Sequence, residues 1–180
     1  MRVSIILCLL FLVTACASKV TSITQDKDRT LSSDKGYLLL GLQSNINLKS
    51  ILITGPENIE LSSQDIKQGS NYLLLDLEAG TYTVKHIKLN KFWVRRLSDQ
   101  EFWQFNVSAG KISYVGHLEV VTWGAWGQFT SAELVNRSSE SLEYLESNFS
   151  TILQNRSIKY DGPGNDSFFE FLNKKQGEKS

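Results

Sequence analysis

The chain of 180 residues contains few of the residue types that fix a small fold or a metal site: two cysteines, two prolines, two histidines and one methionine. Because only Pro56 and Pro163 are present, proline excludes few segments from a β-sheet. The 19 basic residues are balanced by 19 acidic residues, so the chain has no basic excess of the kind that neutralises phosphates. This balance argues against a nucleic-acid-binding protein.

Common catalytic motifs are also scarce, since neither H-E-x-x-H nor G-x-S-x-G occurs. The two histidines, His86 and His117, fall inside predicted strands, and Glu119 shares a strand face with His117. These residues are open to two interpretations: a metal or acid–base pair, or half-buried structural histidines. We favour the second, because zinc needs three or four ligands and no third ligand has a recognisable spacing.

A carboxylate pair of the kind used in glycoside hydrolysis is the other catalytic candidate, at Asp99 and Glu101. These residues lie two apart in a charged segment. The favoured interpretation is a solvated loop in which Arg95 and Arg96 neutralise the two carboxylates. We therefore expect a protein that is not an enzyme and that uses no metal or cofactor. An unrecognised hydrolase remains the less favoured alternative.

The first fifteen residues have the layout of a secretory signal. Arg2 precedes the apolar run 3–13, which is too short to span a bilayer as a helix. The tetrad "VTAC" that ends at Cys16 resembles the lipobox of bacterial lipoproteins. The resemblance implies cleavage before Cys16 and acylation of Cys16, which would anchor the mature chain to a membrane. An ordinary cleaved signal followed by a chance cysteine is the alternative.

The same resemblance predicts the membrane in which the protein is anchored, and it implies that the mature chain has no free thiol. Ala17 and Ser18 do not resemble the aspartate that retains lipoproteins in the inner membrane, which implies an outer-membrane lipoprotein facing the periplasm. The inner membrane remains the alternative. Cys8 would leave with the signal and Cys16 would be acylated, so no thiol would serve as a disulfide partner, nucleophile or metal ligand.

The mature chain divides into three predicted parts. Residues 16–35 are polar and predict a flexible, lipidated tether. Residues 36–136 show short apolar runs separated by turn residues, which predict seven or eight strands of a β-sandwich. The predicted strands are residues 36–42, 49–55, 58–61, 71–80, 81–89, 102–110, 111–121 and 128–136. Strict alternation in the seventh would place Ile112, Tyr114, Leu118 and Val120 on one face.

A change of period marks residues 137–175 as a helical extension. Leu142, Leu145, Phe149, Ile152 and Leu153 are spaced by three, four, three and one, which predicts one helix over residues 138–156. Ser138 or Ser139 would cap this helix. Residues 167–175 would add one further helical turn.

Two glycine-containing stretches resemble a known fold family. "LEAGTYTVKHIKL" resembles the strand–turn–strand signature of transthyretin-like domains, which include carboxypeptidase regulatory-like domains, and "FNVSAGKISYVGHLEV" is similar to a stretch of uncharacterised bacterial lipoproteins. The resemblance implies an antiparallel transthyretin- or Ig-like sandwich, and it transfers no catalytic residue. Gly80 and Gly110 fall where a tight turn needs positive φ, and Gly116 falls where a strand bulges or meets a large neighbour.

The tryptophans are the most informative feature for function, because all four lie between residues 93 and 126. For Trp93 and Trp103 we favour a core or cross-strand position. For Trp123 and Trp126, in the glycine-rich "WGAWG", burial and an exposed binding platform are equally open. The candidate binding surface comprises Trp93, Arg95, Arg96, Trp123, Trp126 and Phe129.

Together these features predict a membrane-anchored envelope lipoprotein that acts as a binding or assembly module. Its partners would be the membrane, through Cys16, and an envelope protein. A glycan- or peptidoglycan-binding module that uses the same tryptophans is the alternative. No nucleic-acid partner is expected.

Overall fold

The computed structural model describes residues 17–97, 101–124 and 128–177, with the side chains of 175–177 left out, as two β-sheets with short C-terminal helices. The strands are β1 (Ser18–Val20), β2 (Lys35–Ser44), β3 (Ser50–Thr54), β4 (Ile59–Ser62), β5 (Gly69–Glu78), β6 (Gly80–Lys88), β7 (Val94–Arg96), β8 (Gln104–Val107), β9 (Ile112–Trp123), β10 (Phe129–Val135) and β11 (Ile158–Tyr160). The helices are α1 (Ser138–Asn148), α2 (Ser150–Asn155) and α3 (Phe168–Gly177).

The two sheets are mixed rather than antiparallel. The six-stranded sheet has the order β1-β4-β3-β6-β7, with β8 also paired to β6. The five-stranded sheet has the order β10-β9-β2-β5, with β11 also paired to β9. All eight predicted strands are present, but the antiparallel prediction is wrong because β1–β4, β2–β9 and β11–β9 pair in parallel. Turn residues predict only the antiparallel pairing of strands that follow each other in the chain. The parallel pairs join strands that are far apart in the sequence.

Two apolar cores hold the layers together. The larger core lies between the sheets, where leucine and isoleucine side chains of β2, β3 and β5 meet Tyr82 and Phe105. The smaller core lies between the five-stranded sheet and the helices. Its fully buried members include Tyr37 and Tyr114 from the sheet and Leu145 from α1. The helices therefore cover only one of the two sheets in the described chain.

The strand β9 contributes to both cores because a bulge at Gly116 reverses its alternation. Ile112 and Tyr114 pack under the helices, whereas Leu118 and Val120 pack between the sheets. The prediction that these four residues share one face is therefore wrong. Gly116 has a φ of 110°, and the pairing of β9 with β2 shifts register at this point. One extra residue in a strand moves every later side chain to the opposite face.

The predicted single helix is broken at Phe149. This buried residue has a φ of −139° and a ψ of 41°, so α1 ends before it and α2 begins after it. The expected apolar stripe still faces the five-stranded sheet. Capping differs from the prediction, because the Asn136 side chain, rather than Ser138 or Ser139, accepts the N–H of Ser138 at 3.0 Å. The last helix, α3, has ten residues rather than one turn.

Residues 17–29, which the sequence analysis assigned to a flexible tether, pack against the two-sheet domain. The strand β1 pairs with β4 at one sheet edge. The N–H of Ile23 then donates to the carbonyl of Leu74 in β5 at 2.8 Å, and the N–H of Leu74 donates to Ser22 Oγ at 3.0 Å. This N-terminal strap (residues 17–29) therefore covers the outer edges of both β4 and β5, which would otherwise expose unpaired backbone groups.

The strap also fixes the helices. The Asp26 carboxylate accepts the N–H groups of Thr151 at 2.8 Å and Ile152 at 3.1 Å, and so caps α2. Burial acts to raise the pKa of Asp26, but these hydrogen bonds outweigh it and lower the pKa. Asp28 pairs with Arg156 at 3.1 Å, directly after α2. The polar residues that suggested a tether thus satisfy groups of the folded domain.

The bulge can be tested by comparing two glycines that both have positive φ. Gly110→Ala meets no atom within 4 Å and carries only the backbone penalty, so we expect a loss of about 1 kcal/mol in the free energy of unfolding. Gly116→Ala would also place its Cβ 3.1 Å from Leu134 Cγ and from the Val135 carbonyl oxygen. We expect a loss of about 3 kcal/mol there, measured by urea denaturation. Equal losses in the two variants would contradict the crowded bulge.

Candidate functional site

The structure brings together two of the predicted aromatic residues. Trp123 ends β9, Phe129 begins β10, and the two are direct cross-strand partners. Their ring centroids are 6.0 Å apart with an angle of 19° between the planes, and each residue is 53% exposed. Val121 is exposed on the same face. We call Val121, Trp123 and Phe129 the aromatic patch. Trp126 and Cys16 lie outside the described residues.

The aromatic patch is exposed because the helices cover only part of the five-stranded sheet. Rows of this sheet that contain Tyr37 and Tyr114 are buried under the helices, whereas the rows toward Trp123 are open. Gln43 is exposed on this open part and lies opposite Glu119 in the pairing of β2 with β9. The result is an open sheet surface with aromatic side chains at its far end and polar side chains beside them.

A charged cluster separates the aromatic patch from the helices. Arg137, directly before α1, forms ion pairs with Glu119 of β9 and with Glu140 of α1. Its backbone N–H donates to the Tyr114 hydroxyl at 2.9 Å. Hydrogen bonding to Glu119, the largest influence, raises the pKa of Arg137. The cluster fixes the start of α1 on the sheet and sets the border of the open surface.

His117 lies beneath this border, where the bulge directs it toward the helices. The side chain is buried, and neither ring nitrogen has a hydrogen-bond partner in the described part of the chain. It lies flat against Gly41, where any Cβ would be 2.0 Å from Nδ1. Its ring also meets Tyr72 edge to face at 5.0 Å. Burial is the main cause that lowers the pKa of His117, and the Arg137 charge adds to it.

The second histidine cannot join the first in a site. His86 lies on β6 of the six-stranded sheet with its side chain half-buried, while His117 faces the helices from the five-stranded sheet. Within the described ranges, no group of three or more histidine, cysteine, aspartate or glutamate side chains is placed to hold a metal ion. Asp99 lies outside the described residues, and Glu101 is exposed.

The remaining predicted residues form a separate surface. Trp93, Arg95 and Arg96 lie on the hairpin that joins β6 to β7 in the six-stranded sheet. Trp93 is 45% exposed, and its carbonyl accepts the N–H of Leu89 across the hairpin at 3.0 Å, so of the core and cross-strand positions that the sequence left open it does not take the core one. Trp103, in contrast, is buried between the sheets as expected. The candidate binding surface is therefore two surfaces, one on each sheet.

Both surfaces nevertheless lie at the same end of the sandwich. The strands β2 and β9 run parallel, and β2 joins β3 through the short connection 45–49. The strand β3 therefore starts at the end of the sandwich where β2 and β9 finish. Because β6 runs antiparallel to β3, β6 also finishes at that end. Sequence reasoning missed one exposed member of this end, Val121, since this apolar residue does not differ locally from a buried one.

Two other polar features are already paired within the described chain. Asp161 accepts the hydroxyls of Ser108 at 2.9 Å and Ser113 at 2.7 Å and pairs with Lys159 at 2.7 Å, but Ser113 is fully buried. This cluster therefore attaches β11 to the sandwich rather than meeting a substrate. A polar groove of about 400 Å³ lies between the strap and β5, where Arg29 already pairs with Asp76.

No protein-family model, no curated protein and no solved structure matches the chain. Of the described helices, none has the length and apolar character needed to cross a membrane. The geometry of the two surfaces therefore carries the functional argument.

The burial of His117 predicts a pH dependence of stability. Its pKa in the folded state lies below the ordinary value of 6.5, so the unfolded chain binds a proton first as the pH falls. The free energy of unfolding should therefore decrease as the pH drops from 6.5 toward the folded-state pKa, and this contribution should be flat above 6.5. Urea denaturation of the wild type and of His117→Gln at several pH values measures it. A slope between neutral and mildly acid pH that is identical in both proteins would contradict the assignment.

Proposed function

We propose that this chain is a lipid-anchored protein of the bacterial cell envelope that binds a partner protein through the aromatic patch and catalyses no reaction. The anchor would be Cys16, and the location would be the periplasmic face of the outer membrane. The observation that carries the proposal is the stacked, half-exposed pair Trp123 and Phe129 on an open sheet surface.

The two-sheet domain is proposed to be a sandwich of the transthyretin-like type. Support comes from the two stretches that carry the resemblance. Each places an Ala–Gly turn between strands of different sheets, β5 to β6 at Gly80 and β8 to β9 at Gly110. Both glycines have positive φ, at 146° and 71°. A Cβ at Gly80 would lie 2.6 Å from the ring of Pro56, so this corner requires glycine.

Partner binding is supported by the cost of leaving these side chains in water. Aromatic side chains bring large apolar area and few rotatable bonds, and they are the residues that carry most binding energy in protein interfaces. Trp123 and Phe129 are held by neighbouring strands, so little conformational entropy is lost on binding. Gln43 and Glu119 would supply a polar rim.

Glycan binding is a second candidate, because one observation favours it. The rings of Trp123 and Phe129 are nearly parallel and lie beside polar groups, an arrangement that suits stacking against a sugar. Sedimentation with purified peptidoglycan separates the two candidates. Saturable binding that is lost in Trp123→Ala would favour the glycan, whereas no sedimentation would favour the protein partner.

The aromatic patch can be tested by crosslinking the full-length lipidated protein in its native envelope and identifying what is captured. We expect the double variant Trp123→Ala/Phe129→Ala to lower the yield of the specific crosslinked partner at least about tenfold. Phe102→Ala is the matched control, because Phe102 is an equally exposed aromatic residue outside the patch, and it should retain the wild-type yield. An unchanged yield in a folded double variant would refute the proposed patch.

Acylation of Cys16 is tested by metabolic labelling with an alkyne-bearing fatty acid. The wild type should carry the label and fractionate with membranes, because two or three acyl chains give stable anchoring. Cys16→Ser should lose the label, while Cys8→Ser should keep it. Labelling that survives in Cys16→Ser would contradict the anchor.

A further inference from the structure

The outer face of the six-stranded sheet is not covered by any of the described helices. All three helices pack on the other sheet. On the outer face, Leu52, His86 and Lys88 are only partly buried, although they lie in central strands β3 and β6. The core between the sheets packs on the inner face of this sheet, and the core under the helices packs on the far side of the other sheet. The outer face of the six-stranded sheet is therefore open to water or to a partner.

This face and the hairpin that borders it carry a concentration of positive charge in a chain whose charges balance overall. Residues 79–98 contain Lys85, Lys88, Lys91, Arg95 and Arg96 and no acidic residue. In the pairing of β6 with β7, Arg96 lies opposite His86 and Val94 opposite Lys88, so these four share the outer face. Arg95 lies opposite Ile87, which is buried between the sheets, so Arg95 belongs to the hairpin but not to the outer face.

Four of these cations have no ion pair within the described part of the chain. Lys88, Lys91, Arg95 and Arg96 form no ion pair with any carboxylate of residues 17–97, 101–124 or 128–177. At the opposite edge of the same sheet, Lys19 of β1 lies beside Glu60 of β4, a half-buried acidic residue on this face. The positive charge of this face is therefore concentrated at the β6–β7 edge, and Glu60 lies on the same face toward the β1 edge.

The hairpin tip, residues 90–96, adds apolar side chains to the charge. Phe92 is 86% exposed, and Trp93 and Val94 are each 45% exposed. The tip is fixed rather than loose, because the Asn90 side chain accepts the N–H groups of Phe92 at 2.8 Å and Trp93 at 3.0 Å. An exposed phenylalanine and tryptophan held between Lys91 and Arg95 combine apolar insertion with cationic contacts.

We propose that this basic outer face and the hairpin tip together dock on the surface of a bilayer that contains anionic phospholipids. Aromatic residues favour the boundary between headgroups and acyl chains, and lysine and arginine are attracted to anionic headgroups. A soluble polyanion would use the cations but would leave Phe92 and Trp93 without an apolar partner. A bilayer accounts for both features at once.

The point where the chain enters the domain supports the bilayer as the occupant. Ala17 directly precedes β1, the edge strand of the same basic sheet. If Cys16 is acylated, as the proposed function holds, its acyl chains begin beside this sheet. The strap that follows is bound to both sheets and to α2, so it provides no slack to move the domain away. The domain would then lie on the bilayer with the helices facing away.

The test does not depend on acylation. A chain from Ala17 to Ser180 retains every element and both cores, and circular dichroism checks that it folds. We expect this chain to sediment with vesicles of phosphatidylcholine mixed with phosphatidylglycerol, to sediment little with phosphatidylcholine alone, and to be released by added salt. Failure of the folded chain to sediment with the anionic vesicles at low salt overturns the inference, whatever the fate of Cys16.

Two matched pairs of variants locate the contact. Lys88→Gln/Arg96→Gln should weaken vesicle binding at least about fivefold, whereas Lys67→Gln/Lys111→Gln, which removes the same charge at exposed sites elsewhere, should leave it within about twofold. Phe92→Ser/Trp93→Ser should weaken binding, and Trp123→Ser/Phe129→Ser should not. Equal losses within either pair overturn the assigned face. Retained binding in Phe92→Ser/Trp93→Ser, with full displacement by soluble polyglutamate, would instead identify a polyanion site.

Discussion

The alternation of side chains in β9 is the constraint on which the rest of the structure depends. Ile112 and Tyr114 face the helices. If the alternation continued unbroken from them, Leu118 would also face the helices and Trp123 would point into the space between the sheets. The bulge at Gly116 corrects this at one position. The residues before it pack under the helices, and those after it fill the main core while the aromatic patch stays outside.

The layering that follows gives the two outer faces different characters. The helices and the Arg137 cluster occupy much of the five-stranded sheet and leave an apolar end open. No described helix covers the six-stranded sheet, and Lys88 and Arg96 lie on its outer face at the β6–β7 edge. The N-terminal strap ties both sheets and α2 into one body. The proposed partner protein would bind at the first face, and the proposed anionic bilayer at the second.

Most strands could be predicted from the sequence, because each is a short apolar run bounded by turn residues such as glycine. All eight predicted strands exist, whereas β1, β7 and β11 were missed, being three-residue strands without an apolar pattern. Parallel pairing and the polar strap were also not predicted, since both depend on contacts between distant residues such as Asp26 with Thr151. For the candidate site, residue type selected Trp123 and Phe129 as candidates but left burial and exposure of Trp123 equally open. For Trp93 it left a core and a cross-strand position open, because burial of an aromatic residue near a hairpin depends on which strand covers it.

The most direct test of this account is to compare side-chain labelling by photo-generated carbene in the native envelope with labelling of the purified, folded protein. The account predicts that Trp123 and Phe129 lose labelling in the envelope because a partner covers them, and that Phe92 and Trp93 lose it because lipid covers them. Trp103 should be weakly labelled in both samples, since it is buried between the sheets. Equal labelling of Trp123 and Phe129 in the two samples would contradict the central claim that the aromatic patch is a binding surface.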